Sequence, residues 1–161
     1  MVALPALAAQ DMFLKLDGIK GESADSRHAG EIDVLTWNWG AAQATATGNK
    51  LAGTGRAAVN ALVLTKFIDV SSPRLFESVM QGKHITEAVL VVRKAGAKPL
   101  EFIRIRLREV LVVSIKTSGN VNDRPTEEVS LQFSSAEYSY SPQKADGSAG
   151  PAITYTWTAG K

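Results

Sequence analysis

The sequence predicts an all-β chain, a compact two-sheet β-barrel with one short α-helix at about residues 73–81 and a long extended loop at about 41–58. Three observations predict it. Apolar residues recur with a period of two in many short runs, from Met12, Leu14 and Leu16 to Ile153, Tyr155 and Trp157. Turn-forming clusters such as Asp17-Gly18, Lys20-Gly21-Glu22-Ser23 and Asp146-Gly147 separate those runs. Only one stretch combines a helical period with signals at both helix ends. No linker divides two cores, so residues 1–161 read as a single domain.

In the first run Met12, Leu14 and Leu16 share one face, with Phe13, Lys15 and Asp17 on the other. A charged loop holding Glu22, Asp25, Arg27, His28 and Glu31 leads into a second strand region. There Trp37 and Trp39 face one way, as core aromatics, and Thr36 and Asn38 the other. Residues 41–58 are small, polar and aperiodic, and loops of such length are commonly functional or ordered by a partner. Residues 59–70 are apolar on both faces, with Val59, Ala61 and Val63 against Leu62, Leu64 and Ile68. That pattern fits a buried strand or one covered by a neighbouring subunit.

The helix is framed by Ser72 as N-cap, Pro73 at its first position and Gly82 at a left-handed end. Leu75, Phe76, Val79 and Met80 form its apolar stripe, which must dock on the sheet because so short a helix is unstable alone. After a strand at 85–93 comes the long run 100–116. Ile103, Ile105, Leu107, Leu111, Val113 and Ile115 share one parity, and Arg104, Arg106 and Arg108 occupy the other until Val110 and Val112 replace them. At ~3.3 Å per residue the run would exceed about 50 Å, so a bend or bulge near Glu109 is expected, with one strand serving both sheets. A second slip of parity falls at Ser134-Ser135, between Phe133 and Ala136.

Charge and composition narrow the function. Lys plus Arg number 18 against 16 Asp plus Glu, a net charge of +2, which gives no electrostatic case for nucleic acid or an anionic membrane. The absence of cysteine excludes disulfides and thiolate metal sites. The amino-terminal MVALPALAAQ lacks a basic region and is broken by Pro5, and no stretch approaches the ~20 apolar residues of a membrane helix. The chain reads as cytosolic, and any export would proceed without a cleavable signal.

No residues read as catalytic, cofactor-binding or metal-ligating. Gly53-Thr54-Gly55-Arg56-Ala57-Ala58 fits a dinucleotide pattern on paper, but an Ala/Thr loop precedes it and a strand follows, where phosphate binding needs a strand and then a helix. His28 reads as hydrogen-bonded to a loop carboxylate, with a zinc site as the lesser alternative, and His84 as a partner of the helix C-terminus. No G-x-S-x-G elbow is present. Arg104, Arg106 and Arg108 project a basic ladder with two readings. One is a solvated face with Glu101 and Glu109 as partial partners; the other is a face pairing with acidic residues of another subunit or lining a polar channel.

The motifs Asp11-Met12-Phe13, Lys20-Gly21-Glu22-Ser23, Glu31-Ile32-Asp33-Val34-Leu35 and Trp37-Asn38-Trp39-Gly40 stand in an order that closely resembles the haemolysin-coregulated protein (Hcp) family. The likeness continues through Lys66-Phe67-Ile68-Asp69, Gly82-Lys83-His84, Arg93-Lys94-Ala95-Gly96, Glu109-Val110-Leu111-Val112 and Pro142-Gln143-Lys144-Ala145-Asp146-Gly147 to Trp157. The resemblance implies a β-barrel tube protein of the type VI secretion system. Its hexameric rings would stack into the tube that sheath contraction expels from the bacterial cytoplasm. Implied partners are further copies of the chain, the contractile sheath, the spike and baseplate, and small secreted effectors held in the lumen. Asn38 becomes the candidate lumen-facing residue, in a position where many relatives carry serine. Thr45, Thr47, Asn49, Lys50, Leu51 and Arg56 become candidates for a subunit-interface loop. The larger relatives' C-terminal toxin extension is not expected. Two other readings stand beside it: a monomeric β-barrel binding module or enzyme, and the tail-tube protein of a phage-like contractile particle.

Overall fold

A computed structural model describes residues 9–46 and 52–160 of the chain. The elements in order are β1 (Gln10–Leu16), β2 (Ile32–Asp33), β3 (Thr36–Asn38), β4 (Ala41–Ala46), β5 (Ala52–Val59), β6 (Leu62–Phe67), α1 (Ser72–Gln81), β7 (His84–Lys94), β8 (Leu100–Ser118), β9 (Thr126–Gln132), β10 (Ser135–Tyr140) and β11 (Ile153–Thr158). The chain is mainly β, as expected. Every named pairing is antiparallel, along the path β2-β1-β7-β8-β9-β6-β3, with β10 added to β8 and β11 to β10.

Strand β8 organises the sheet. Its first half lies between β7 and β10, Leu107 pairing with Ala88 on one side and Ala136 on the other. Its second half pairs with β9, Ile115 opposite Val129. The change of partner happens at Glu109, the one described non-glycine residue with positive φ, 51°. A residue there reverses which side chains point inward, because the left-handed conformation rotates the strand about its axis. Ile105 and Leu107 are buried before it and Val110 and Val112 after it, whereas Val113 is 41% exposed. The expected single parity across the run is therefore corrected: the chain bends at Glu109 as expected, and the bend also exchanges the two faces. A second irregularity, between Val112 and Ser114, returns Ile115 toward the core. The slip at Ser134 marks the point where the returning chain leaves β8's second half for its first, Ser134 N–H donating to Arg108 O at 3.0 Å.

Residues 32–38 join the two ends of the path. Val34 N–H donates to Met12 O at 3.0 Å, and Leu35 N–H to Thr65 O at 2.8 Å. The inner faces of both halves meet in one core, with Leu14, Ile32, Leu62, Leu64, Leu90, Ile105, Leu107 and Leu131 all at or below 1% exposure. Gly21 allows the 17–31 loop to close over β2, since a Cβ there would stand 2.4 Å from Glu31 O.

Helix α1 packs against β8. Its cap residue is Ser71, which makes no side-chain capping bond; Ser72, expected in that place, is the first helical residue. The reason is Asp69, whose carboxylate takes the Ser71 N–H at 2.8 Å, while Ser72 Oγ turns back to accept the Asp69 N–H at 3.0 Å. The apolar stripe also differs. Leu75 is buried, but Phe76 and Met80 are 53% and 73% exposed, and Ser78 takes a buried place by donating to Arg74 O. Gly82 ends the helix with φ +60°, and Lys83 N–H reaches Ser78 O.

Beneath α1 lies a buried polar knot. Lys66 is 0% exposed, and its Nζ stands 2.7 Å from Glu127 Oε1, 2.9 Å from Asp69 Oδ1, 2.8 Å from Phe67 O and 3.3 Å from Ser72 Oγ. An ammonium offers three protons, so four acceptors saturate it. The knot joins β6, β9 and the start of α1, and its ammonium and two carboxylates leave water only because each has an opposite charge beside it.

Candidate functional site

Residues 41–58, expected as a loop, fold over their described part as a separate two-stranded hairpin, β4 with β5. Ala41 pairs with Val59 and Ala46 with Ala52, and every residue of the two strands is exposed except the half-buried Val59. A hairpin with no face on its own core has no buried alternation to encode, so its sequence reads as aperiodic. Thr45 lies on β4 and Arg56 on β5, both exposed. Thr47, Asn49, Lys50 and Leu51 lie outside the described residues. Gly53 and Gly55 are strand residues, with no helix after them.

The hairpin's root is fastened by Trp39, whose indole N–H donates to Asn60 O at 2.9 Å. Trp39 also stacks edge-on with Phe133 and Tyr138, centroids 5.9 Å apart in each case. Between root and sheet opens a largely apolar cleft of about 330 Å³ whose lining includes Trp39, Ala57, Tyr138, Tyr155 and Trp157. From it runs an uncovered strip on β10 and the edge strand β11: Tyr138, Tyr140, Ile153 and Tyr155 are 41%, 44%, 72% and 70% exposed. Sequence alternation puts Ile153, Tyr155 and Trp157 on one face of the last strand, and only Trp157 of the three packs against the core. The sheet extends past the core here, leaving that face open.

Asn38 is exposed on β3, opposite Val63 of β6. Apart from Val63, the outward face around it is polar. Thr36 and Thr65 share a hydroxyl bond of 2.6 Å, and Ser130, Ser114 and Glu128 continue the surface across β9 and β8.

The opposite outward face, on β1, β7 and β8, is charged. His28 is 6% exposed and is held by two carboxylates, Nδ1 at 2.7 Å from Glu31 Oε2 and Nε2 at 2.8 Å from Glu101 Oε1. Its ring stacks on Phe13 at 4.3 Å. Beside it Arg93 makes a two-pronged bond to Asp25, at 2.6 and 3.1 Å, and a third to Asp11 at 2.9 Å. The Arg93 guanidinium, with the Arg27 backbone N–H, holds the Asp25 carboxyl far below the usual carboxylate range. Asp25 and Asp11 in turn raise Arg93. Together these contacts pin the 22–31 loop on the sheet. No group of three or more metal-ligating side chains occurs among the described residues. His84, at the start of β7, is exposed.

The basic ladder is present but not as expected. Glu101 serves His28, and Glu109 pairs with none of the described cations. Instead Glu87 of β7 faces Arg106 at 3.7 Å and Arg108 at 3.9 Å, and Arg104 has no ion pair among the described residues.

Comparisons with known proteins place this architecture. Residues 13–140 match the family model described as "Type VI secretion system effector, Hcp". The chain is 44% identical over 153 residues to protein hcp1 of Pseudomonas aeruginosa, covering 92% of this chain and 94% of that one. It is similar to a solved type six secretion system protein, with a TM-score of 0.88, 30% identity and coverage of 94% and 96%. It is also similar to the crystal structure of Hcp1 from Salmonella typhimurium, with a TM-score of 0.77, 35% identity and coverage of 93% and 94%.

Proposed function

The chain belongs to the Hcp family of type VI secretion system proteins, a family of structural secretion components, and on that premise we propose that six copies close into a ring whose stacks form an expelled tube. Residues 1–161 act as one tube unit, moving from the bacterial cytoplasm to the outside when the sheath contracts. The sheath, spike, baseplate and small effectors are its partners.

The observation that carries this reading is the pairing of two unsatisfied features on one flank. The edge strand β11 bears Ile153 and Tyr155 in the open, and the β4–β5 arm stands beside it with no cover of its own. An exposed apolar edge is a liability in a monomer and an interface in a ring, where a head-to-tail contact closes by rotation. The arm, including Thr45 and Arg56, overlies a neighbouring subunit or ring. The polar β3–β6–β9 face then forms the lumen wall, with Asn38 toward the cargo.

Native mass spectrometry with negative-stain imaging tests the assembly. A mass near six chains with annular particles is expected, and a clean monomer at micromolar concentration overturns the ring. Asn38→Arg tests the lumen: rings should persist while effector retention changes. Loss of the ring in that variant would instead put Asn38 at a subunit contact.

A further inference from the structure

The outward face of β1, β7 and β8 carries a trough of about 270 Å³ for which the fold supplies no use. Val89 and Val91 of β7 form its floor. Lys15 of β1 and Arg27 of the adjoining loop stand on one side, with Arg104 and Arg106 of β8 on the other. The carboxylates at its margin are already engaged. Glu31 and Glu101 hold His28, and a single oxygen of Glu87 is divided between Arg106 and Arg108 at distances too long for a hydrogen bond. Lys15, Arg27 and Arg104 make no ion pair among the described residues. Four cationic side chains, Lys15, Arg27, Arg104 and Arg106, therefore flank the floor against three carboxylates, Glu31, Glu87 and Glu101, which leaves the trough a small positive excess.

The spacing selects the occupant. Arg104 and Arg106 are alternate residues of one strand, ~6.6 Å apart along it, which is also the repeat of side chains on one face of any extended chain. β1 and β8 stand two strand spacings apart, about 10 Å, across β7. That width favours a chain bearing several carboxylates over one small anion.

We propose that this trough docks an extended acidic segment of a partner polypeptide. Glutamates at alternate positions lay their methylene stems over Val89 and Val91. Their carboxylates reach Arg104 and Arg106 on one side, and Arg27 and Lys15 on the other. The trough faces away from the Asn38 surface, because the two halves of the sheet share one core between them. Its occupancy therefore stands or falls separately from the lumen reading.

Fluorescence anisotropy of the labelled peptide Gly-Glu-Thr-Glu-Thr-Glu-Gly and its glutamine counterpart, titrated with the full chain at low salt, tests this. The glutamate peptide should bind at least about tenfold more tightly. Arg27→Gln with Arg104→Gln, both exposed residues, should weaken it by about tenfold. A control removing the same charge elsewhere, Arg74→Gln with Lys116→Gln, should leave binding near wild type, with near-UV circular dichroism confirming the fold of each variant. Equal binding of the two peptides, or equal loss in the two double variants, would overturn the proposal.

Discussion

Two regions of this molecule solve opposite problems. Beneath α1, Lys66, Glu127, Asp69 and Ser72 satisfy one another completely in the dry interior. Elsewhere, the β4–β5 arm and the β11 edge leave a hairpin and an aromatic strip without internal cover. The first region belongs to folding, since every group there already has its partner. On the function proposed above the second belongs to assembly, since its groups find no partners within the described chain. Removing a side chain from the first should cost stability, and from the second, association.

The largest effect is expected at the knot. Lys66→Ala leaves Glu127, 2% exposed, as an unpaired buried carboxylate and should lower unfolding free energy by about 3–5 kcal/mol in urea titration. Pairing Lys66→Met with Glu127→Leu should recover part of that loss, since Asp69 still lacks its cation. An equal loss in both variants would mean that the knot's geometry, not its charge balance, holds α1.

An intermediate effect is expected at the loop clamp. Because the folded-state pKa of Asp25 is lowered, its contribution to stability is present above the unfolded value of about 3.9 and declines as pH falls through the folded one. Wild type should lose stability on acidification below about pH 4, and Asp25→Asn should remove part of that slope while starting from a less stable protein at pH 7. Parallel pH profiles for the two would count against the clamp.

The smallest effect on the monomer is expected at the arm. Replacing the segment between Gln43 and Ala57, which face each other across the hairpin, by an Asn-Gly turn should change monomer stability by less than about 0.5 kcal/mol while abolishing rings. A large fall in stability would blur the division between the two regions.

The sequence disclosed what the core reads and hid what it does not. Period-two alternation located β1 and β9 because each has a face defined by burial. Residues 41–58 offered no such signal, since both faces of the hairpin meet solvent within one chain. Phe76 and Met80 looked like helix core because spacing alone cannot see that Ser78 fills the inward place. His28 was correctly joined to a loop carboxylate, yet its second partner, Glu101, lies 73 residues away, a distance no local pattern encodes. The trough escaped for the same reason: Lys15 and Arg27 meet the β8 arginines only through strand order.

Strand β8 has a mechanical consequence. It is one unbroken covalent spar, paired through its first half with β7 and β10 and through its second half with β9. A thrust along this strand loads the rungs of each ladder side by side, so that they resist together rather than parting one at a time. The pivot at Glu109 is the joint through which such a load crosses from β7 and β10 to β9.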